Sequence, residues 1–293
     1  MVSVKENAYA KINLYLDVLS KREDGFHDVK TVMHTVSLCD EVTVFAKRSS
    51  KRSVRLSVIG QYRLPTDSRN LAIKAAELFL DSTFICAEVD IRLVKRIPVA
   101  AGLAGGSSDA AAVLRALNRI FKRPLTQKRL LSLASELGSD VPFCLLGGAA
   151  LCVGRGEMVE RLPDKMHLHL VVASSEERVS TPLAYSCLDE LYSDFKGERN
   201  DDSELSLASV VKAVNSGDIG DMTLFNIFEN AIFKSCSVAE RIKERMFDLG
   251  ATHALMSGSG PSVYGIFPNM ESAEAAKKTL IEHGINAYYA KTV

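Results

Sequence analysis

Apolar residues alternate with polar ones, or run together, along the first part of the chain. Both patterns favour strands, and the segments that show them are Val4–Leu19, Thr31–Leu38, Glu41–Ala46, Val54–Ile59 and Val89–Val94. Apolar residues at helical spacing instead predict helices at Leu71–Leu80, from Ala110 to Phe121, and at Thr126–Leu137. Lys21–Phe26 is polar and contains Gly25, so it is predicted to be a turn.

The second half continues this alternation of strands and helices. Pro142–Val153 predicts a short helical turn followed by a strand. Further strands are predicted at His167–Ala173, Ala254–Met256, Val263–Phe267 and Ala287–Lys291. Further helices are predicted at Leu205–Asn215, Asn226–Phe233, Val238–Leu249 and Met270–Glu282. Residues 196–206 are polar and charged, which indicates a surface loop.

The periodic pattern loosens near residues 154–164, which contain Gly154, Gly156 and Pro163. A chain of 293 residues is long enough for one large or two medium domains. This stretch is a candidate boundary between two domains, residues 1–155 and 156–293, and one large domain is the alternative. Because strands and helices alternate in both, the expected fold class is α+β or α/β.

Composition narrows the classes of function. Lys plus Arg equals Asp plus Glu at 36 each, so the zero formal charge argues against broad binding to nucleic acid or an anionic membrane. No apolar run reaches the about 20 residues of a membrane span, and the polar start does not resemble a secretory signal. The six cysteines form no Cys-x-x-Cys pair, so we expect reduced core thiols in a cytoplasmic protein.

The most informative motif is PVAAGLAGGSSDAAA at Pro98–Ala112. Glycine permits close backbone approach to a phosphate chain, and a helix N-terminus adds unpaired N–H groups and partial positive charge. Ser107 or Ser108 is expected to cap the helix or to offer a hydroxyl to phosphate or Mg²⁺. The loop matches neither G-x-x-x-x-G-K-[ST] nor G-x-G-x-x-G, and the alternative is a flexible loop before an ordinary capped helix.

Three segments in this order resemble the motifs of the GHMP kinases, named for galactose, homoserine, mevalonate and phosphomevalonate kinases. The first is AYAKINL at Ala8–Leu14, the second is the loop at Pro98–Ala112, and the third is LMSGSGPS at Leu255–Ser262. The resemblance covers essentially the whole chain. It implies an α+β protein with a ribosomal-protein-S5-like N-terminal domain and a ferredoxin-like C-terminal domain.

Four segments are most similar to a subgroup whose acceptor is a cytidine diphosphate alcohol of the non-mevalonate isoprenoid pathway. They are KINL at Lys11–Leu14, REDGFH at Arg22–His27, KRIP at Lys95–Pro98 and GSDVPF at Gly138–Phe143. Two departures from the subgroup occur. Phe26 stands where relatives often have tyrosine, and alanine stands where many have glycine, at Ala100, Ala101 and Ala104. The loop must then use φ values that alanine tolerates.

The resemblance implies transfer of the ATP γ-phosphoryl group to an alcohol, with two residues in catalytic roles. Asp140 is the candidate base or the group that orients the hydroxyl, although an Asp in this position alone is more often a helix cap. Lys11 is its expected partner, which would keep the carboxylate ionised and offset phosphate charge. A surface lysine at a strand end is the alternative.

The remaining site residues follow from the same resemblance. Phe26 and His27 would read the cytosine by stacking and hydrogen bonding, and Tyr185 is a weaker candidate for the other face of the base or else a core residue. The other expected substrate contacts are Asn13, Asp140, Thr181, Gly258 and Ser259. The expected ATP contacts are Asn70, Lys95, Arg96, Pro98, Ala100, Ala101, Gly102, Leu103, Ala104, Gly105, Gly106, Ser107 and Ser108. Asn70 can equally be a helix cap, and Lys95 and Arg96 a solvated strand end.

ATP is the expected phosphoryl donor and Mg²⁺ the expected ion. No carboxylate cage is visible in the sequence, and Ser108 and Asp140 are the metal-ligand candidates that can be named. The other expected partner is the small-molecule substrate, with no nucleic acid and no membrane, and the chain is a monomer or a homodimer. Two alternatives stay open, namely another GHMP kinase for homoserine or mevalonate and a non-catalytic ligand sensor on the same scaffold.

Overall fold

The computed structural model describes residues 1–174, 177, 179–192 and 202–293. It divides into two compact units that interleave along the chain. The first unit consists of residues 1–10, 39–99 and 104–146, and the second of residues 11–38, 100–103 and 147–293. Strands β1 (Val2–Lys21) and β2 (His27–Arg48) each contribute residues to both units. The contiguous division at residues 155 and 156 differs from these units and stays a prediction about domains.

The first unit packs helices against a sheet. Its remaining elements are β3 (Ser53–Ile59), α1 (Leu71–Thr83), β4 (Ala87–Val94), α2 (Gly105–Ile120), α3 (Gln127–Leu137) and α4 (Val141–Leu146). β4 lies between β3, to which it is parallel, and β2, to which it is antiparallel, with Val89 opposite Val54 and Val94 opposite Glu41. The apolar faces of these elements, including Phe79, form one core cluster.

The second unit contains a four-stranded antiparallel sheet with helices. Its other elements are β5 (Ala149–Val153), β6 (Met158–Arg161), β7 (His169–Ser174), α5 (Thr181–Leu191), α6 (Asp202–Ser216), β8 (Phe225–Asn226), α7 (Phe228–Ser235), α8 (Ser237–Asp248), β9 (His253–Met256), β10 (Val263–Phe267), α9 (Met270–Glu282) and β11 (Asn286–Lys291). The strand order β11-β7-β10-β9 with helices between β7 and β9 and between β10 and β11 is the ferredoxin-like arrangement. The predicted ferredoxin-like fold is therefore confirmed for this part of the chain.

The second unit also holds the parts of β1 and β2 that carry motif residues. β2 pairs antiparallel with β5, with Thr31 opposite Cys152, and β5 pairs with β6. β8 adds to β1 in parallel, with Tyr15 opposite Phe225. A second core cluster lies in this unit and includes Phe228 and Met246. None of the helices within the described ranges is long and apolar enough to cross a bilayer.

Most predicted elements are present, and the differences have physical causes. The two strands predicted on either side of Cys39 and Asp40 are one strand, because Asp40 is buried and its carboxylate is bonded by Lys95. Helix α5 was missed although Ser180 caps it and Pro182 lies in its first turn. Of the loop predicted at residues 196–206, residues 196–201 lie outside the described residues, and residues 202–206 are helical instead.

The cysteines are less uniformly buried than the sequence suggested. None of the six forms a disulfide bond. Cys152 and Cys236 are buried, whereas Cys86 is exposed and the others are half-buried. The prediction of core thiols is wrong for Cys86, which immediately precedes β4 and projects to solvent.

Candidate active site

The glycine-rich loop leads directly into α2. Its backbone has positive φ at Ala100 (55°), Gly102 (74°) and Ala104 (54°), and α2 begins at Gly105. The N-cap is therefore Ala104, whose side chain cannot accept a hydrogen bond. Because the first N–H groups of a helix lack intrahelical partners, this end of α2 suits an anion such as a phosphate.

The predicted serine cap is wrong, because the helix starts earlier than expected. Ser107 and Ser108 lie inside the first turn of α2. Ser108 is buried, and its Oγ donates to the backbone oxygen of Tyr9 at 2.7 Å, which ties α2 to β1. In this structure the hydroxyl of Ser108 thus serves packing within the first unit, and its contact with phosphate or Mg²⁺ stays a prediction.

The left-handed conformation of Ala104 gives a stability prediction. Left-handed backbone costs an L-residue about 1–2 kcal/mol, whereas glycine costs about 0.5–1 kcal/mol in chain entropy. Ala104→Gly is therefore expected to raise the free energy of unfolding by up to about 1 kcal/mol, measured by urea denaturation. Ala112→Gly, in the regular part of the same helix, should lower it by about 1 kcal/mol or more. A loss of stability in Ala104→Gly equal to that of the control would contradict the prediction.

Three residues outside the glycine-rich loop were predicted to contact ATP, namely Asn70, Lys95 and Arg96, and their surroundings differ. Asn70 caps α1, since its Oδ1 accepts from the N–H of Ala72 at 2.9 Å. Lys95 is buried, and its Nζ lies 2.5 Å from Asp40 Oδ2 and 2.8 Å from Asp109 Oδ2. The Arg96 side chain, unlike that of Lys95, is half-exposed. Lys95 therefore does not lie at a solvated strand end, and direct contacts of these residues with ATP stay predictions.

In the second unit, a polar ladder follows one face of β1. Lys11 Nζ donates to Asn13 Oδ1 at 2.5 Å, and Asn13 Nδ2 donates to Thr31 Oγ1 at 2.8 Å. Thr31 Oγ1 in turn donates to the backbone oxygen of Tyr15 at 2.5 Å. The three side chains are buried, so Lys11 is not a solvated surface lysine. The hydrogen bond to Asn13 fixes the direction of the Lys11 ammonium, and its role in offsetting phosphate charge stays a prediction.

The third motif forms a loop against Gly102. Ser257 Oγ donates to the backbone oxygen of Gly102 at 3.0 Å, and a Cβ on Gly102 would lie 2.0 Å from the backbone oxygen of Ser257. A Cβ on Gly258 would lie 3.1 Å from Lys11 Nζ. The third motif therefore lies against Gly102 and beside the Lys11 ammonium, which leaves no room for a side chain at Gly102 and little room at Gly258. Ser259 reaches Thr181, with 3.2 Å between their hydroxyl oxygens.

Asn226 holds the third motif in place and was missed by the sequence analysis. Its Nδ2 donates to the backbone oxygens of Met256 and Gly258 at 2.7 and 2.8 Å, and its Oδ1 accepts from the N–H of Phe228. It is 4% exposed. The sequence signal that could have identified Asn226 is its place as a lone Asn in the apolar run LFNIF, because a buried side-chain amide needs hydrogen-bond partners.

The residues predicted to read a base surround the turn after β1. His27 is buried and stacks on Tyr185 with 4.6 Å between ring centroids, and Phe228 meets Tyr185 edge-on. The Phe26 side chain, by contrast, is 53% exposed, with the Arg155 guanidinium 4.9 Å from its ring centroid. The Tyr185 ring therefore stacks on the His27 imidazole, and its contact with a base stays a prediction.

A carboxylate orients His27 and was also missed. His27 Nε2 lies 2.7 Å from Asp189 Oδ1, and Lys21 Nζ lies 2.5 Å from Asp189 Oδ2. Burial opposes ionisation of Asp189, but its hydrogen bonds to Lys21 and His27 outweigh that effect and lower the pKa of Asp189. Since the carboxylate accepts, Nε2 carries a proton. The pairing joins residues 162 positions apart, so no local pattern could indicate it.

Asp140 lies in the first unit, immediately before α4. It is half-buried, and its backbone oxygen accepts from the N–H of Cys144 at 3.0 Å as that helix begins. Lys11 belongs to the second unit, so the pairing of Lys11 with Asp140 stays a prediction. The part of the chain that the structure describes contains no cluster of three or more His, Cys, Asp or Glu suited to a metal ion.

Comparison with known proteins places these features in context. A family model described as the GHMP kinases N terminal domain matches residues 70–148, and one described as the GHMP kinases C terminal matches residues 210–286. The chain is 43% identical over 281 residues to a 4-diphosphocytidyl-2-C-methyl-D-erythritol kinase from Macrococcus caseolyticus, covering 94% of this chain and 95% of the relative. It is 41% identical to the corresponding kinase from Caldicellulosiruptor saccharolyticus, covering 93% and 91%.

Solved structures agree with the curated relatives. A crystal structure of 4-(cytidine 5'-diphospho)-2C-methyl-D-erythritol kinase is 32% identical and covers 99% of both chains, with a TM-score of 0.81. A homoserine kinase from Cytophaga hutchinsonii is 23% identical with a TM-score of 0.75, covers 99% of this chain and 94% of its own, and shows the shared fold. The similarity therefore extends over nearly the whole chain.

Proposed function

Because the chain belongs to the GHMP kinase family, we propose that it transfers the γ-phosphoryl group of ATP to the 2-hydroxyl of 4-diphosphocytidyl-2-C-methyl-D-erythritol. The products are ADP and the 2-phosphate, in the non-mevalonate route to isoprenoid precursors. Relatives over 40% identical along nearly the full length carry that name, which supports the substrate. The observation in this chain that carries the proposal is the exposed Phe26 ring next to the buried, carboxylate-held His27.

Groups in each of the two units match different parts of the proposed substrates. The free N-terminus of α2 binds the phosphates of ATP, and the glycines allow the chain to approach them. Phe26 offers a ring face to the cytosine, and His27 offers a ring whose Nε2 proton is fixed by Asp189. Homoserine and mevalonate have no base for these two residues to read.

The chemical step needs charge compensation and a proton acceptor. The 2-hydroxyl oxygen attacks the γ-phosphorus while the bond to the β,γ-bridging oxygen breaks, and the hydroxyl proton passes to the Asp140 carboxylate. The Lys11 ammonium, held by Asn13, stabilises the charge on the transferred group. Mg²⁺ is proposed to enter bound to the ATP phosphates, since Mg²⁺ favours phosphate oxygens and water over protein cages.

The proposed product can be tested directly. After incubation of the protein with ATP, Mg²⁺ and the cytidyl substrate, proton-coupled ³¹P NMR should show ADP and a new phosphomonoester without three-bond proton coupling, because the 2-position carbon bears no hydrogen. A phosphomonoester on another hydroxyl would leave the kinase assignment intact and overturn the regiochemistry. None of the six cysteines forms a disulfide bond, which supports the proposal that the protein works in the reducing cytoplasm.

Phe26 should contribute mainly to binding of the cytidyl substrate. Base–aromatic stacking is worth about 1–3 kcal/mol, so Phe26→Ala should raise the KM for that substrate by about 5- to 160-fold. kcat should change little, because the ring does not touch the reacting atoms. Steady-state kinetics on Phe26→Ala and on Phe247→Ala, where the ring is similarly exposed at 48%, would measure this. A KM in Phe26→Ala equal to that of the control would overturn the stacking role.

A further inference from the structure

The start of the third motif is held from one side by Asn226 in β8 and Glu229 in α7. Asn226 Nδ2 donates to the backbone oxygens of Met256 and Gly258 at 2.7 and 2.8 Å. Glu229 Oε1 accepts from the N–H of Met256 at 2.9 Å. Met256 ends β9, which lies at the edge of the four-stranded sheet, so these side chains satisfy backbone groups that no strand of that sheet pairs.

Asn226 also ties the third motif to the strand that carries Lys11. β8 pairs with β1, and the N–H of Ile227 donates to the backbone oxygen of Leu16 at 3.0 Å. The carboxamide of Asn226 has one orientation, because the reverse would place its oxygen against two backbone oxygens. A Cβ on Gly258 would lie 3.1 Å from Lys11 Nζ. The distance between the loop and the ammonium is therefore set through β1, β8 and this buried side chain.

The bonds of Asn226 also set the direction of peptide groups in the loop. The C=O and N–H of a trans peptide group point in opposite directions. The peptide group that follows Met256 shows this, because its oxygen faces Asn226 while its N–H donates to the backbone oxygen of Ser262 at 2.8 Å. The oxygen of Gly258 faces Asn226 as well, and the next peptide bond is trans. The N–H of Ser259 is therefore directed away from Asn226.

Two N–H groups of this loop have no acceptor among the residues that the structure describes. They belong to Gly258 and Ser259, whereas the N–H groups of Ser257 and Gly260 donate to the backbone oxygens of Ser262 and Ser257. Gly258 is buried with a φ of +58°, and Ser259 is half-buried. Successive N–H groups next to a residue of positive φ form a concave pair of donors that suits an anion. A buried N–H group also needs an acceptor.

We propose that Asn226 is a positioning residue for phosphoryl transfer, because it holds the N–H groups of Gly258 and Ser259 beside the Lys11 ammonium. There the two N–H groups donate to oxygens of the transferred group. Its negative charge is then met by an ammonium and two donors that are already oriented before the reaction. Asn226 itself does not touch the reacting atoms. The inference rests on the proposed kinase function.

Asn226→Asp should lower kcat more than it weakens binding. The carboxylate keeps the shape of the side chain and the acceptor for the N–H of Phe228, but it loses both donors and faces two backbone oxygens. We expect kcat with the cytidyl substrate to fall by about 10- to 100-fold, because the N–H groups lose their fixed direction. The KM for that substrate and the Kd for MgADP should change by less than about threefold, since these donors act on the transferred group.

The matched control is Asn118→Asp. Asn118 is 8% exposed near the end of α2, and its carboxamide accepts from the N–H of Leu125 and donates to the backbone oxygen of Leu125, both at 3.1 Å. The change again places a buried carboxylate against a backbone oxygen. It should lower the midpoint of urea denaturation but keep kcat within about twofold of the wild type. Steady-state kinetics and MgADP titration on the wild type and both variants measure the difference.

The outcomes separate this inference from the proposed function. A folded Asn226→Asp with the kcat of the wild type overturns the inference and leaves the kinase standing. An equal loss of kcat in Asn226→Asp and Asn118→Asp also overturns it, since lost stability alone would explain both. Absence of turnover in the wild type overturns the proposed function and the inference together.

NMR of the wild type decides if Asn226→Asp does not fold. The amide signals of Gly258 and Ser259 are followed as MgADP, aluminium fluoride and the cytidyl substrate are added. Aluminium fluoride imitates the transferred group, so both amide protons should move downfield as they donate to it. Amide signals that stay in place when the three ligands bind overturn the inference.

Discussion

Replacing Asp140 by asparagine is expected to lower kcat by about 10²- to 10⁴-fold while nearly preserving the Kd for ATP. Asparagine keeps the shape of the side chain but cannot accept the proton of the attacking hydroxyl. It also removes the negative charge that the Lys11 ammonium is proposed to balance. Single-turnover kinetics with ATP and the cytidyl substrate, combined with nucleotide titration, would separate the chemical step from binding.

The control for Asp140→Asn is Glu136→Gln. Glu136 is an exposed residue of α3, four positions earlier in the chain, so this change also removes one negative charge nearby in sequence. It should keep kcat within about twofold of the wild type. Near-wild-type turnover in Asp140→Asn would rule out the proposed base. An equal loss of ATP binding and turnover would indicate a role in nucleotide binding instead.

The second large effect is expected at Gly102. Gly102→Ala places a Cβ 2.0 Å from the backbone oxygen of Ser257 and 3.2 Å from the N–H nitrogen of Gly260, on a residue whose φ is +74°. Left-handed alanine costs about 1–2 kcal/mol, and overpacking against backbone adds about 1–3 kcal/mol. We therefore expect a loss of about 2–5 kcal/mol in the free energy of unfolding, together with loss of turnover.

Gly106→Ala is the matched control for stability. A Cβ on Gly106 would meet only Leu71 Cδ1, at 3.8 Å, and the residue lies in the regular helix α2. Alanine there should stabilise the protein by about 0.5–1 kcal/mol. Urea denaturation of both variants, with the m-value as a check on the unfolding transition, measures the difference. If Gly102→Ala were as stable as Gly106→Ala and retained turnover, the result would contradict the close packing of Gly102 against Ser257 and Gly260.

The sequence predicted the fold class and the motif-bearing segments because these depend on local patterns. The α+β fold with a ribosomal-protein-S5-like part and a ferredoxin-like part is confirmed by the family match and the solved structures. Helix α9 and strand β10 have the predicted bounds. Strand β2 was divided in error, because a buried aspartate within a strand looks like a break until its partner is known.

The sequence could not indicate which charged residues pair when they lie far apart in the chain. Lys95 meets Asp40, 55 positions away, and His27 meets Asp189, 162 positions away. Such pairs arise from the tertiary fold, so their members look like ordinary surface charges in the sequence. The start of α2 was also out of reach, because Ala104 as an N-cap has no local signal, whereas the serines after it do.

The central claim is tested most directly by ADP release from ATP and Mg²⁺ in the presence of three acceptors, offered separately to the purified protein. We predict turnover with 4-diphosphocytidyl-2-C-methyl-D-erythritol and none above background with mevalonate or homoserine. Turnover with mevalonate or homoserine instead would contradict the roles of Phe26 and His27. ADP release with none of the three would contradict the assignment as a kinase of these acceptors.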